Sequence, residues 1–195
     1  MAMPLSHTEW TVEMLNDLPD DGNKYEIVDG ELLVSPGPTR VHERCVGELF
    51  LLLSPYVERW EIGMCLGSNA QVVPNRRTAM KPDVSVIAVP PGGVDVHWRD
   101  GDRLLLAVEV LSPSTARYDR VKKRPAYLSM NAEYWIVDAY ARLFERWVPG
   151  AQRPDVLDEH ITWWPAGAGE PLTIDLPAYF DRVYRHFVPD TTSDD

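Results

Sequence analysis

This sequence has few cysteines, no excess of basic charge and no long apolar run. Each of these features excludes a class of protein. The two cysteines, Cys45 and Cys65, form no C-x-x-C motif and supply too few thiolates for a zinc site of their own. The formal net charge is −11, which argues against binding nucleic acid over the whole surface but leaves room for a local basic groove. No apolar run reaches the roughly 18 residues that a membrane-spanning helix needs.

Targeting and linker signals are missing as well. The first ten residues, MAMPLSHTEW, have neither the basic nor the apolar region of a secretory signal peptide. Together with the scarcity of cysteine, this predicts a cytoplasmic protein with free thiols and no membrane partner. The 195 residues contain no repeat or low-complexity linker. We therefore predict one domain over residues 1–190 and an acidic disordered tail over 191–195.

The first third of the chain has helical and hairpin patterns. Residues 11–19 predict a short amphipathic helix, and residues 23–36 predict a β-hairpin around the Asp29-Gly30 turn signal. Apolar residues recur with helical spacing over 39–60, and Pro55 is expected to end or kink that helix.

Short apolar runs rich in β-branched residues follow. Those within 83–89 and 104–111 are nearly continuous, as expected of central strands covered on both faces. A polar segment of helix length leads to the next run, 133–138, which gives a strand–helix–strand unit. Residues 142–149 predict an antiparallel neighbour of that run, and 172–187 predict a strand followed by a short helix. The expected fold class is α/β (α+β), a mixed β-sheet flanked by helices.

One carboxylate is placed where burial is costly, because Glu109 interrupts the apolar run LLLAVEVL. It could form a structural ion pair with Arg103 or Lys81. It could also bind a metal ion together with Asp83, which opens the preceding apolar strand. Two carboxylates on neighbouring strands can share a hard divalent cation, with water and phosphate completing its coordination.

Cations follow Glu109 on the next element. Lys122 or Lys123 could polarise the attacking water in metal-assisted phosphodiester hydrolysis, and spacing alone does not separate the two. The neighbouring arginines fit a solvated helix face and a phosphate-contacting rim equally well. The rim candidates are Arg117, Arg120 and Arg124, joined by Arg76 and Arg77 ahead of the first of the two strands.

A family resemblance connects these features. The segments that show the resemblance are KPDVSVIAV…LLLAVEVLSPSTARYDRVKKRPAYLSMNAEYWIVD, YEIVDGELLVSPGPTRVHERCVGEL upstream and LTIDLPAYF downstream. They resemble the Uma2 (DUF820) family of restriction-endonuclease-like proteins, in the PD-(D/E)xK nuclease superfamily, over most of the chain. The resemblance implies a restriction-endonuclease-like core and an endonuclease that uses Mg²⁺ or Mn²⁺ to hydrolyse phosphodiester bonds in DNA.

The resemblance also assigns residues. It makes Asp83 the aspartate of the PD motif and Glu109 the acidic residue of the second strand, both as metal ligands. Two residues after Glu109 the chain has Leu111, where the superfamily's simplest pattern has lysine. The segment YDRVKKRPAY matches the family's D-R-x-x-K-x-x-x-Y pattern instead, which selects Lys123 over Lys122 as the catalytic lysine.

Weaker matches give further candidates. His42 matches a family histidine and is a candidate neighbour of the active site, although a histidine there is more often a surface or capping residue. Glu31 in DGEL is a candidate third carboxylate, whereas Glu26 is expected to be a solvated hairpin charge. Tyr127 is expected to pack in the core. If the helix begins at Asp119, Pro125 lies beyond its first turn, which predicts a kink or a later start.

Two other functions compete with the nuclease. The acidic surface and Leu111 both favour a catalytically silent nuclease-fold module that binds or assembles with a partner. A phosphodiesterase acting on a small nucleotide would need no broad basic face. A homodimer could also concentrate two RYDRVKKR segments around one DNA duplex.

Overall fold

The computed structural model of the protein describes residues 9–188, and the predicted acidic tail over 191–195 lies outside the described residues. The strands are β1 (Lys24–Val28), β2 (Glu31–Ser35), β3 (Met64–Gly67), β4 (Val72–Asn75), β5 (Thr78–Met80), β6 (Val84–Ile87), β7 (Leu104–Val110), β8 (Glu133–Asp138), β9 (Leu143–Trp147), β10 (Asp155–Leu157), β11 (His160–Trp163) and β12 (Leu172–Asp175). The α-helices are α1 (Arg40–Arg59), α2 (Ala116–Tyr118), α3 (Arg124–Ser129) and α4 (Leu176–Tyr184). A π-helical segment (Asp119–Lys123) joins α2 to α3, and a 3-10 helix covers Val12–Asp17.

A six-stranded mixed sheet forms the centre of the molecule, in the order β10-β9-β8-β7-β6-β3. The β7–β8 pair is parallel and its neighbours pair antiparallel. The predicted strand–helix–strand unit is confirmed, because α2, the π-helical segment and α3 connect β7 to β8. The expected mixed sheet with flanking helices is confirmed with it.

The central strands are covered on both faces, which explains their continuous apolar runs. One face packs against α1 and α4, and its core includes Leu49, Val108, Trp135 and Phe180. The other face shares a second core with a four-stranded antiparallel sheet, β2-β1-β5-β4, and with α3. Glu109 alternates with Val108, so its side chain points toward this second face.

The hairpin prediction is confirmed. Val28 pairs with Glu31, which leaves Asp29 and Gly30 as a two-residue turn. Both turn residues have positive φ, 52° and 82°, as a type I′ turn requires.

One helix prediction needs correction, and one alternative of a second is excluded. The pattern over 11–19 forms a 3-10 helix over Val12–Asp17, since a segment that short gains little from α-helical propagation. Pro55 does not end α1, which continues to Arg59 and buries Val57. Packing of the apolar face against the sheet therefore outweighs the hydrogen bond that proline cannot donate. No helix among residues 9–188 is long and apolar enough to span a membrane.

Pro125 acts through the π-helical segment. Helical structure begins at Ala116, before Asp119, so the alternative of a later start is wrong. The N–H of Arg124 donates to the carbonyl of Asp119, five residues earlier, in place of the usual four. Pro125 then lies in the first turn of α3, where its missing N–H costs little.

Candidate active site

Two buried carboxyl groups lie side by side where β6 meets β7. Asp83 immediately precedes β6, and its backbone N–H donates to the carbonyl of Val108 over 2.9 Å. Val84 pairs with Val108, so the same antiparallel register places Asp83 opposite Glu109. Directly opposed side chains share a face, and both residues line one cavity of about 780 Å³. Only 3% of Asp83 and 2% of Glu109 is exposed.

Cationic and polar groups surround Asp83. The Lys24 Nζ lies 3.1 Å from Oδ1, the His42 Nε2 lies 3.0 Å from Oδ2, and the Val110 N–H donates to Oδ2 over 2.9 Å. Burial alone would raise the pKa of Asp83. The hydrogen bond from His42 and the charge of Lys24 outweigh it and hold that pKa well below its ordinary value. The structure therefore places His42, from the first turn of α1, directly beside Asp83.

Lys123, and not Lys122, lies beside Glu109. The Lys123 Nζ is 2.8 Å from Glu26, 3.1 Å from Glu109 and 3.3 Å from Asp119. Burial would lower the pKa of this amine, but the three carboxylates raise it well above the ordinary value. Lys122 instead pairs with Glu31 over 2.7 Å at the surface, where 44% of its side chain is exposed.

The partners of Glu109 are not Arg103 and Lys81, the two residues with which the sequence suggests a structural ion pair. The Glu109 Oε1 accepts hydrogen bonds from the Lys123 ammonium at 3.1 Å and the Tyr127 hydroxyl at 2.8 Å. Within residues 9–188, neither Arg103 nor Lys81 pairs with it. Burial raises the pKa of Glu109 to about 8, the charges of Lys123 and Lys24 oppose that shift, and Asp83 and Asp119 add to it.

Asp119 adds a fourth buried carboxyl group. The π-helical segment places both Asp119 and Lys123 on its buried side. The Asp119 oxygens accept no hydrogen bond from the described part of the chain, although Oδ1 lies 3.3 Å from the Lys123 Nζ. Burial raises the pKa of Asp119 more than Lys123 lowers it.

Glu26 corrects one expectation. It is buried, with 1% exposure, where a solvated hairpin charge was expected. Its Oε1 accepts the Lys81 backbone N–H at 2.7 Å while its Oε2 binds Lys123. The alternation of β1 could have grouped Glu26 with Lys24 on one face, but the sequence did not reveal that this face is covered.

Sequence reasoning missed several members of this cluster. The sequence gives no functional signal at Lys24, indicates only a helix cap at Asp119 and predicts only core packing for Tyr127. Glu31, the candidate third carboxylate, lies outside the cavity lining and pairs with Lys122. Glu26 is the hairpin carboxylate that lines the cavity.

The five rim arginines are not among the residues that line the cavity. Arg120 pairs with Glu145, Arg124 lies 4.4 Å over the Trp147 ring, and Arg77 pairs with Glu9. Arg76 and Arg117 are likewise outside the lining. The basic side chains that do line it are Lys24, His42, Lys81 and Lys123.

The donor set fits a hard divalent cation. The cluster holds four carboxyl groups, Glu26, Asp83, Glu109 and Asp119, against two ammonium groups, Lys24 and Lys123. Acidic groups therefore outnumber ammonium groups in the cluster, and a bound divalent cation would offset that excess. Among residues 9–188 no trio of His, Cys, Asp or Glu is arranged as a complete metal site. Mg²⁺ does not need such a trio, since it commonly uses one or two carboxylates and keeps water and substrate phosphate as its other ligands.

Known proteins resemble this chain in sequence and in fold. The profile of the Uma2 family, described as "Putative restriction endonuclease", matches residues 12–166. A protein from Anabaena variabilis ATCC 29413, described as a putative nuclease belonging to DUF820, superposes with a TM-score of 0.72. That alignment covers 89% of this chain and 99% of the other at 17% identity, so it shows a shared fold. No curated protein matches the sequence.

Proposed function

Because this chain belongs to the Uma2 family of restriction-endonuclease-like proteins, we propose that it is an endonuclease that uses a divalent metal ion to hydrolyse phosphodiester bonds in DNA. The observation that supports this proposal is the opposed pair Asp83 and Glu109 at the base of one cavity, with the Lys123 ammonium 3.1 Å from Glu109.

Asp83 and Glu109 would hold the Mg²⁺ or Mn²⁺. The ion would supply Lewis-acid stabilisation of charge on the phosphoryl oxygens and a lowered pKa for bound water. Asp83 is suited to this because its depressed pKa keeps it ionised. Glu109 is suited because a bound cation would stabilise the ionised form, which burial disfavours and the neighbouring carboxylates disfavour further.

Lys123 would act as a fixed positive charge and hydrogen-bond donor. Its pKa lies well above the ordinary value, so the amine stays protonated and cannot serve as a general base. Contacts to Glu26 and Asp119 hold the ammonium beside Glu109. A donor held in place before the reaction stabilises developing charge without reorganisation, and such donors contribute about 10²-fold or more to rates.

The test is cleavage of supercoiled plasmid and of single-stranded circular DNA by the purified protein with Mg²⁺ or Mn²⁺. We expect Asp83→Asn and Glu109→Gln to abolish cleavage, since each keeps the side-chain shape and removes a charge that the metal needs. Lys123→Ala should slow cleavage about 10²-fold and leave metal affinity nearly intact.

Two controls accompany this assay. Glu31→Gln removes a carboxylate outside the cavity and should leave cleavage unchanged. The Asp83→Asn protein, purified in the same way as the wild type, is the control for contamination. Equal nicking by the two proteins would mean that a contaminating nuclease cuts the DNA. A lack of nicking by both proteins with every divalent metal would contradict the nuclease proposal and favour the catalytically silent module.

A further inference from the structure

A second cavity adjoins the first. It has a volume of about 650 Å³ and lies between the 3-10 helix, the 69–73 segment and the loop that leads to β7. Asn69 and Lys81 line both cavities, so these two residues mark where they meet. The proposed metal site is therefore one end of a longer depression.

Lys81 is a cation without a carboxylate partner at this junction. The other two lysines of the first cavity are paired, Lys24 with Asp83 and Lys123 with three carboxylates. No acidic group of the described chain lies within ion-pair distance of the Lys81 ammonium. Its backbone N–H donates to Glu26 over 2.7 Å, which fixes where the side chain begins. An unpaired ammonium between two cavities is suited to contacting a phosphate.

The lining of the second cavity offers groups that recognise nucleobases. Its polar side chains include Asn16, Asn69, Gln71 and His97. None of these side chains hydrogen-bonds to another residue of the described chain, so their donors and acceptors are free for a ligand. Trp98 packs against the second core and also lines the cavity. An anchored indole can stack on a base, and amides can bond to base edges.

The depth of the carboxyl pair limits the form of the substrate. Asp83 and Glu109 are 3% and 2% exposed at the base of the first cavity. The walls belong to the 35–39 loop, the 112–115 loop and residues 20–24. A phosphate within a stacked duplex is held on a broad rigid cylinder, whereas an unpaired strand can enter a cavity.

We propose that the second cavity binds one nucleotide of single-stranded DNA adjacent to the scissile phosphodiester, with Lys81 contacting the phosphate between the cavities and Trp98 stacking on the base. The position relative to the scissile bond rests on the proposed nuclease function. The binding itself does not.

The experiment measures binding of a fluorescein-labelled oligothymidine to the full chain by anisotropy, in EDTA, so that no cleavage is required. We expect Lys81→Met and Trp98→Leu each to weaken binding by about tenfold, which is within the range for losing one stacked base or phosphate contact. The matched controls are Lys122→Met and Trp164→Leu, since Lys122 pairs at the surface outside both cavities and Trp164 is 64% exposed elsewhere. Both controls should bind like the wild type.

An abasic strand of the same length separates the contribution of base stacking to affinity from that of phosphate charge. This measurement uses only the wild-type protein. The wild type should bind it about tenfold more weakly than oligothymidine. Thermal melting of each variant shows whether it folds. If Trp98→Leu does not fold, the Lys81→Met variant and the abasic strand still test the proposal.

Three results would overturn the proposal: equal affinity for duplex and single strand, equal affinity for abasic strand and oligothymidine, or cavity variants that bind like their controls. A protein that binds the strand as expected but never nicks DNA would refute only the nuclease function.

Discussion

Lys123 and Glu109 show how burial changes the chemistry of single residues. The carboxylates around Lys123 keep its amine charged, while burial raises the pKa of Glu109 to about 8. One residue is therefore a permanent cation, and the other titrates near neutral pH. A metal ion that binds Glu109 must compete with a proton.

This competition predicts pH-dependent metal affinity. Below the Glu109 pKa of about 8, the metal-free protein holds a proton that binding must release. Affinity for Mn²⁺ should therefore rise with pH, by up to about tenfold per unit below that value, and level off above it. Titration calorimetry in chelator-free buffers from about pH 6 to about pH 9 measures this trend.

Two variants check the assignment. Glu109→Gln should weaken Mn²⁺ binding and flatten its pH dependence, because the proton that metal binding displaces from Glu109 is then absent. Glu31→Gln, at the surface carboxylate that pairs with Lys122, should change neither. A wild-type affinity that is independent of pH would argue against Glu109 as a ligand.

For single residues, the sequence is informative where the family pattern is long. It is uninformative where burial decides the environment of a side chain. It named Asp83, Glu109 and Lys123, which the structure brings to one cavity, and their catalytic roles stay predictions. It missed Glu26 and Asp119, because alternation and helical spacing show which residues share a face but not which face becomes covered.

Among the elements, the contact between β3 and β6 depends on a close backbone approach. A Cβ on Gly63 would lie 2.1 Å from the Ile87 carbonyl oxygen, which is part of the backbone and cannot move aside cheaply. Gly63→Ala should therefore destabilise the protein, by about 1–3 kcal/mol on the scale of overpacked sites. Urea unfolding monitored by circular dichroism gives this free energy of unfolding.

Gly47 is the matched control. It lies in α1, it is exposed, and a Cβ there meets nothing within 4 Å. Gly47→Ala should stabilise the protein by about 0.5–1 kcal/mol, because alanine is the better helix former. If both substitutions shift stability in the same direction, the backbone approach at Gly63 is not the cause.

The elements that the sequence predicted well are those with long, regular apolar patterns. The runs of β7 and β8 and the spacing in α1 are of this kind. The π-helical segment was beyond prediction, because Pro125 signals a disturbed helix but not whether the chain kinks, restarts or adds a residue to one turn. Short strands such as β10 and β11 have only three and four residues, too few to show a periodic pattern, and they are defined by pairing with β9 and β12.

For the whole molecule, the net charge of −11 limits how nucleic acid can bind. The lysines that line the first cavity are Lys24, Lys81 and Lys123. With roughly 0.7 counterions released per contacted phosphate of a single strand, the logarithm of affinity should fall with the logarithm of salt with a slope no steeper than about 2. Anisotropy titrations with oligothymidine across salt concentrations in EDTA measure that slope.

A much steeper slope would show that cations outside the cavity also bind phosphates. The rim arginines, Arg117, Arg120, Arg124, Arg76 and Arg77, would then be the first to substitute. Their glutamine variants should leave the slope unchanged if the cavity alone contacts the strand.

Other expectations for the whole molecule stay predictions. They are the single domain over 1–190, the cytoplasmic location and the homodimer. Sedimentation of the full chain with and without DNA addresses the homodimer.

The contacts of Lys123 also bear on how the chain folds. The charged cluster draws on four separate stretches of sequence, around residues 24–26, 83, 109 and 119–123. Contacts between distant stretches form late, because the entropy of closing the intervening loops must be overcome first. A growing chain that ends before residue 123 can pair β6 with β7 but still lacks Lys123. The reactive arrangement therefore needs all four stretches, and a chain that stops short of Lys123 does not carry it.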